Sequence, residues 1–343
     1  MPEHMNIFMK LNNIVVCLVL VFSISSVFSQ ESQKLVFSAM FYNVENLFDT
    51  TDNPMTQDND FLPESKKQWN TPKYYVKLRN ISRVIVAAGK WHVPDIIGLC
   101  EVETADCLWD LTHKTNLSRL EYSYIHYESL DNRGIDVALL YNPQTFTVLS
   151  SKPIRVCNET LNLKTRDILY VKGIVMSTQD TLHVFVCHFP SRMGGQAKSE
   201  SKRVFAANVL RKAIDSVQSL YMNNAHILVM GDCNDGPLNR SISEVLHAGI
   251  YNKECSSCMV SVIDSTFPGT HYYKGEWNYL DQTIVSNYLY SSYILKQTII
   301  RESFITQTTK NNSQIQPYRT YTGAYFTGGY SDHFPVLLQI FNK

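Results

Sequence analysis

The sequence predicts one α/β unit in which two stacked β-sheets are flanked by helices. Seven short segments are rich in Val, Ile, Phe and Tyr, and several are too continuously apolar to have a wet face. Two longer segments carry a single apolar stripe at helical spacing. No linker rich in Pro, Gly or Ser interrupts the chain from about Ser32 to Lys343. Sheets buried on both faces, with amphipathic helices covering them, follow from these three features.

In chain order, the expected strands are Leu35–Tyr42, Asp95–Cys100, Ile135–Tyr141, Thr181–His188, Ala225–Gly231, Leu280–Val285 and Phe334–Phe341. The first helix is read from Tyr74, Leu78, Ile81, Ile85 and Ala88, which recur at steps of four and three. The second is read in the same way from Val204, Ala207, Leu210, Ile214, Val217 and Tyr221. Each places one apolar stripe against a sheet, with Lys and Arg expected on its outer face.

Composition bounds the class. Of 343 residues, 44% are hydrophobic and 18% charged, which suffices for a packed core and argues against extensive disorder. Lys plus Arg and Asp plus Glu both number 31, so the whole-molecule charge gives no pull toward nucleic acid. A local basic groove stays open. The N-terminus reads as an export signal: Lys10 precedes the apolar run Ile14–Phe28, and Val27 and Ser29 suit a cut at Ser29/Gln30. Met5 and Met9 are alternative starts. The run is shorter than the roughly 20 residues a spanning helix needs. Cys17 follows Val16 rather than a small residue, which argues against lipidation. The expected layout is a signal peptide at 1–29 and a single domain at 30–343, secreted or periplasmic, with no membrane anchor after cleavage. Eight cysteines leave an odd number once Cys17 is removed. Cys100, Cys187 and Cys233 read as small core hydrophobes. Cys255 and Cys258 read as loop thiols or one small disulfide.

Polar residues cluster where buried strands end. Asn43 and Glu45 follow the first strand, Glu101 the second, and Asp136 lies within the third. His188, Ser191 and Arg192 follow the fourth; Asp232, Asn234 and Asp235 follow the fifth. Asp281 sits in the sixth, and Ser331, Asp332 and His333 precede the last. A turn or a helix cap explains any one of these groups. Seven of them converge more naturally on a site.

Asn43, Glu101, the Gly-Asp-x-Asn of 231–234, Asp281 and the Ser-Asp-His of 331–333 give the chain its family likeness. In that order they resemble the DNase I-like endonuclease/exonuclease/phosphatase superfamily over nearly the whole mature chain. The resemblance implies a four-layer α/β/β/α sandwich and a metal-dependent phosphoester hydrolase. Glu101 and Asn43, with Asp332 nearby, would hold Mg²⁺, or Mn²⁺ in its place. His333 with Asp281 would activate water, while Asp232 and Asn234 orient the nucleophile and the phosphate. His188 would help protonate the leaving group, as in the DNase I, sphingomyelinase and inositol-phosphatase branches, with Asp136 as its acidic partner. Arg133 and Arg192 are candidate phosphate contacts. Tyr272 and Trp277, just before Asp281, could stack a base or receive a headgroup, or could equally form a packed turn.

The leading expectation is therefore a monomeric nuclease acting on nucleic acid outside the cytoplasm, with no stable protein partner. A phosphatase or phospholipid-headgroup hydrolase on the same scaffold is the alternative. A catalytically inactive binding module fits least, because the motif positions are all present.

Overall fold

The computed structural model describes residues 33–309 and 314–343. The export reading, with Lys10, Ile14–Phe28 and the cut after Ser29, lies outside the described residues. Leu35–Phe341 forms one compact unit.

The chain runs β1 (Leu35–Leu47), α1 (Thr71–Ala88), β2 (Ile96–Val102), α2 (Ala105–His113), β3 (Ser123–His126), β4 (Asp136–Tyr141) and β5 (Phe146–Ile154). It continues through β6 (Ile168–Val175), β7 (Asp180–His188), α3 (Gln196–Leu220), β8 (His226–Asp232), β9 (Ala248–Gly249) and β10 (Met259–Ser261). Then follow the hairpin β11 (His271–Tyr273) and β12 (Glu276–Asn278), and the strands β13 (Asp281–Ser286) and β14 (Ile294–Ile299). Two small hairpins, Thr306–Thr308 with Ile315–Pro317 and Tyr321–Thr322 with Tyr325–Phe326, precede β15 (Val336–Phe341).

Six strands form one sheet in the order β14-β15-β1-β2-β4-β3; seven form the other, β9-β10-β13-β8-β7-β6-β5. β1 and β2 pair in parallel, as do β7 and β8. The period-2 alternation of β7 explains the layering. Leu182, Val184 and Val186 join the core that contains Phe41, Leu99 and Leu139 of the facing sheet. Phe185 and Cys187 instead pack with Leu210 and Ile214 of α3. On the opposite side, Leu78, Ile81 and Ile85 of α1 and Leu108 and Leu111 of α2 cover the six-stranded sheet. The sheets are thus stacked between helices, the DNase I-like arrangement.

Each strand read from the sequence is present, with its ends shifted by a few residues. β5 and β6 were not legible. Exposed and half-buried positions dominate β5, and β6 alternates, so neither makes a continuous apolar run. The helices start at caps: Asn70 Oδ1 accepts from Lys73 N at 3.2 Å, and Thr104 Oγ1 accepts from Cys107 N at 3.3 Å. Two cations depart from the expected outer faces. Lys77 of α1 and Arg203 of α3 are fully buried. Cys100, Cys187 and Cys233 are buried free thiols, and Cys255 and Cys258 form a disulfide.

The sheets approach closely at Gly98 of β2, where there is no side chain. A Cβ there would stand 3.0 Å from Met230 Sδ and 3.2 Å from side-chain atoms of Phe41 and Val186. Gly98→Val is expected to overpack the interface and cost roughly 1–3 kcal/mol, read as a fall in Tm. An unchanged Tm would refute the tight approach.

His183 of β7 lies beneath Tyr170 and Tyr221, its Nδ1 2.8 Å from the Tyr170 hydroxyl. Burial, followed by Lys172 and His226, lowers its pKa to about 4. The unfolded chain then binds more protons than the folded one between the ordinary histidine value and about 4. This contribution to stability is complete above that window and is lost as the pH falls through it. After allowance for solvent screening, the loss is roughly 1–2 kcal/mol. His183→Phe should lessen the drop in Tm between pH 7.5 and 5. An identical drop in the variant would contradict the assignment.

Candidate active site

Strand register assembles the site. In the seven-stranded sheet Asp232 ends β8 directly opposite His188 of β7 on one side and Asp281 of β13 on the other. Cross-strand neighbours share a face, so one imidazole and two carboxylates are held side by side. His333 enters ahead of β15, its Nδ1 2.7 Å from Asp281 Oδ2. Its Nε2 lies 3.8 Å from Asp232 Oδ2, and His188 Nε2 lies 3.6 Å from that same oxygen. Asp232 also accepts from Asn43 Nδ2 at 3.0 Å and from the Asn234 amide at 2.8 Å.

The six-stranded sheet contributes through distorted strand ends. The β1–β2 register shifts beyond Asn43, and the β2–β4 register shifts beyond Cys100. Glu45, Asn46 and Glu101 take left-handed backbone (φ 52°, 58° and 64°), as does Asn234 on the other sheet (φ 50°). Such strain in non-glycine residues concentrates at functional sites. Asn46 N donates to Glu101 Oε2 at 2.9 Å, and Ser331 Oγ donates to Asn43 O at 2.6 Å, joining the Ser-Asp-His loop to β1.

The electrostatics are sharply divided. Burial opposes charging of His333, but Asp281, Asp232 and Asp332 together raise its pKa well above the ordinary value. Burial raises Asp232 to about 7 against the pull of His333. Burial, Arg166 and Arg133 hold His188 well below the ordinary histidine value, so it stays neutral.

These groups line a cavity of about 750 Å³. Glu101 and Asp332 share it with Asp232, Asn234, His188 and His333, and Arg133, Arg166, Arg192, Lys274 and Arg319 add positive charge. Arg192 is tied down, with Nε donating to Asn234 O at 2.7 Å and Nη1 to Asn278 Oδ1 at 3.0 Å. Arg133 is partly exposed beside Asp131.

Two sequence expectations are corrected. Asp136 does not meet His188; it faces His126 Nε2 at 3.8 Å, because β4 lies in the other sheet beside β3. Tyr272 and Trp277 do not line the cavity. They are register partners on one face of the β11–β12 hairpin, where Trp277 packs on Phe267, Phe334 and Tyr272. The alternate face presents His271, Tyr273, Glu276 and Asn278 to the cavity.

Sequence reasoning missed His271, Arg166, Lys77 and Arg319. The His271 ring centroid lies 4.6 Å from that of His333. Arg166 Nη1 donates to Asp131 Oδ2 at 3.0 Å and Nη2 to Phe189 O at 2.7 Å. Arg319 Nη2 donates to Asp332 Oδ2 at 2.7 Å, and its Nε lies 3.6 Å from Glu45. Lys77 donates to Thr320 Oγ1 at 2.5 Å and to Tyr330 O at 2.7 Å. None has a sequence signal, although Arg319 and Lys77 act on the loop leading into the Ser-Asp-His motif.

The sequence profile of the Endonuclease/Exonuclease/phosphatase family matches residues 38–342. The chain belongs to this family. Phosphoester hydrolysis is the chemistry of its members, and this chain is a phosphoester hydrolase at that level. The solved structures agree on the fold. The Bacteroides thetaiotaomicron mannosyl-6-phosphatase superposes with a TM-score of 0.55 at 14% identity, over 89% of this chain and 99% of that one. The human Nocturnin catalytic domain gives 0.55 at 16%, over 91% and 96%. Truncated Caenorhabditis elegans TDP2 gives 0.56 at 15%, over 89% and 97%. No curated protein matches the chain in sequence.

A buried pair supports the family's Gly-Asp-x-Asn loop from behind. Arg203 Nε lies 2.8 Å from Asp235 Oδ2, and Ser241 Oγ donates to that oxygen at 2.7 Å. Arg203→Met would leave Asp235 charged and buried with much of its compensation gone, at a cost of roughly 3–5 kcal/mol. Adding Asp235→Asn should recover part of the lost Tm. No recovery in the double variant would show that Arg203 acts through packing instead.

Proposed function

We propose that the chain is a divalent-metal-dependent phosphoesterase that takes compact phosphoesters, such as a sugar phosphate or a nucleotide end. The observation carrying this reading is the cavity of about 750 Å³ in which the His188–Asp232–His333 group meets five cationic side chains. A concave site of that size suits a small ligand. The neutral net charge and the inward packing of Tyr272 and Trp277 remove two supports for nucleic-acid binding. Export, read from residues 1–29, is part of the proposal.

The donors fit a hard cation. The Glu101 carboxylate, the Asn43 amide oxygen and Asp332 would be its oxygen ligands, and Glu101 is held by Asn46 N on a left-handed backbone. A bound divalent ion would supply charge for the phosphate oxygens. The chain's own residues handle protons and positioning. Asp281 fixes the His333 ring through Nδ1 and leaves Nε2 facing Asp232. In this pair Asp232, as the carboxylate, would take the proton from water, and His333, favoured as imidazolium, would give one to the departing oxygen; transfer of the proton from Asp232 to His333 Nε2 restores the starting state. Asn234 and neutral His188 orient the phosphate, and the arginines hold its charge.

The test is release of phosphate from sugar phosphates and nucleoside monophosphates, with Mg²⁺ or EDTA, alongside cleavage of double-stranded DNA. Metal-dependent turnover of the small esters is expected to exceed DNA cleavage. His333→Ala and Asp232→Asn should each lower kcat at least about a hundredfold in protein that remains folded at the assay temperature. Efficient internal cleavage of DNA with inert small esters would instead make the protein a nuclease, as its sequence first suggests. Wild-type turnover by either folded variant would defeat its assigned role.

A further inference from the structure

A second cavity, of about 570 Å³, lies between α1 and the turn Asn116–Arg119 that follows α2. None of the residues lining it lines the catalytic cavity. Its charged lining is entirely cationic: Arg79, Arg83, Lys114 and Arg119, with Asn80 and Ser118 among the neutral residues. Lys114 has a carboxylate partner in Asp110 at 2.8 Å. Among the described residues, Arg79, Arg83 and Arg119 have no carboxylate within ion-pair distance, whereas Arg133, Arg166, Arg192, Arg203 and Arg319 all do. In a chain of zero net charge, this cleft concentrates uncompensated positive charge.

The arrangement runs against the stability of the apo fold. Arg79 and Arg83 stand four apart on α1, where like charges repel. Two of these solvent-exposed cations also have side-chain partners. The Arg83 guanidinium lies 4.1 Å from the Phe304 ring centroid and donates to the Tyr330 hydroxyl at 3.0 Å. Lys114 Nζ donates to the Tyr75 hydroxyl at 3.2 Å. Beside them, the Asn80 amide binds Gly328 O and Gly329 O, each at 2.9 Å, which fixes the wall of the cleft. A concave set of guanidinium groups without an acid, one of them oriented by Phe304 and Tyr330, suits a tetrahedral oxyanion.

We propose that this cleft is a second anion-binding site, built for a phosphate or sulfate group and separate from the catalytic cavity. Its occupant relieves the repulsion between the arginines.

Isothermal titration of the metal-free full chain with inorganic pyrophosphate at low salt tests the site, with orthophosphate and sulfate as separate arms. Two binding events are expected for the wild type, one of them weakened at least about tenfold in Arg79→Ala/Arg119→Ala. The three arms rank phosphate against sulfate. Arg119→Glu, a single surface change, should weaken the same event if the double variant folds poorly. Turnover of the best small phosphoester should stay within about twofold in these variants, which separates this site from the catalytic reading. Unchanged pyrophosphate stoichiometry and affinity in both variants, or a single event throughout, would overturn the proposal.

Discussion

The site depends on one rung of the seven-stranded sheet. Backbone pairing of β8 with both β7 and β13 places His188, Asp232 and Asp281 in register at the sheet's end. A slip of one residue in either pair would turn a member of the set to the α3 face. Register is secured upstream, where Val184 and Val186 must face the sheet interface while Phe185 and Cys187 face α3. The packing that stabilises the fold therefore also sets the spacing of the acid–base groups. The same hydrophobic alternation that excludes water from the core delivers polar side chains to its edge.

The second constraint is charge. Asp235 is buried against Arg203 and near Arg192, and Glu45 is buried near Lys77 and Arg319. Burying ions costs several kcal/mol each, and pairing offsets that cost only when the geometry is good. Burial raises Glu45 to about 7, with Asp332 adding to it, while burial lowers Lys77 to about 8 against the attraction of Glu45. Packed apolar residues would stabilise these positions at least as well. The charged networks fit a positioning role: Arg192 fixes the Asn234 backbone, and Arg319 fixes Asp332.

The sequence revealed the elements whose burial is one-sided or complete, and the site residues attached to them. β7 and β8 read as largely apolar runs, so the polar residues ending them stood out, while Asp281 stood out at the start of β13. Asp136 misled because its position at a strand end is sound, while its sheet is not deducible from spacing. β4 pairs with β2 and β3, so Asp136 meets His126. For Trp277 the two readings left open by the sequence are separated by the alternation of a short hairpin, which packs its half-buried ring against the core and puts Tyr273 at the cavity. Lys77 and Arg203 were hidden because a cation on an amphipathic helix ordinarily faces water. Only the neighbouring loops, which supply Thr320, Tyr330 and Asp235, make those positions interior.

What the shared fold leaves open is decided by the loops between strands. The mannosyl-6-phosphatase, Nocturnin and TDP2 structures share the sandwich with this chain at 14–16% identity, so the sandwich itself cannot select a substrate. In this chain, the β11–β12 hairpin contributes Tyr273, Lys274 and Glu276 to the cavity, and the segment between β14 and β15 contributes Arg319. Both come from outside the two large sheets, yet both are anchored to the Ser-Asp-His motif: His271 bridges His333, and Arg319 holds Asp332. A change in either segment would alter cavity shape and catalytic alignment together. On the proposed function, specificity would therefore be coupled to the acid–base centre rather than added to it as an independent rim.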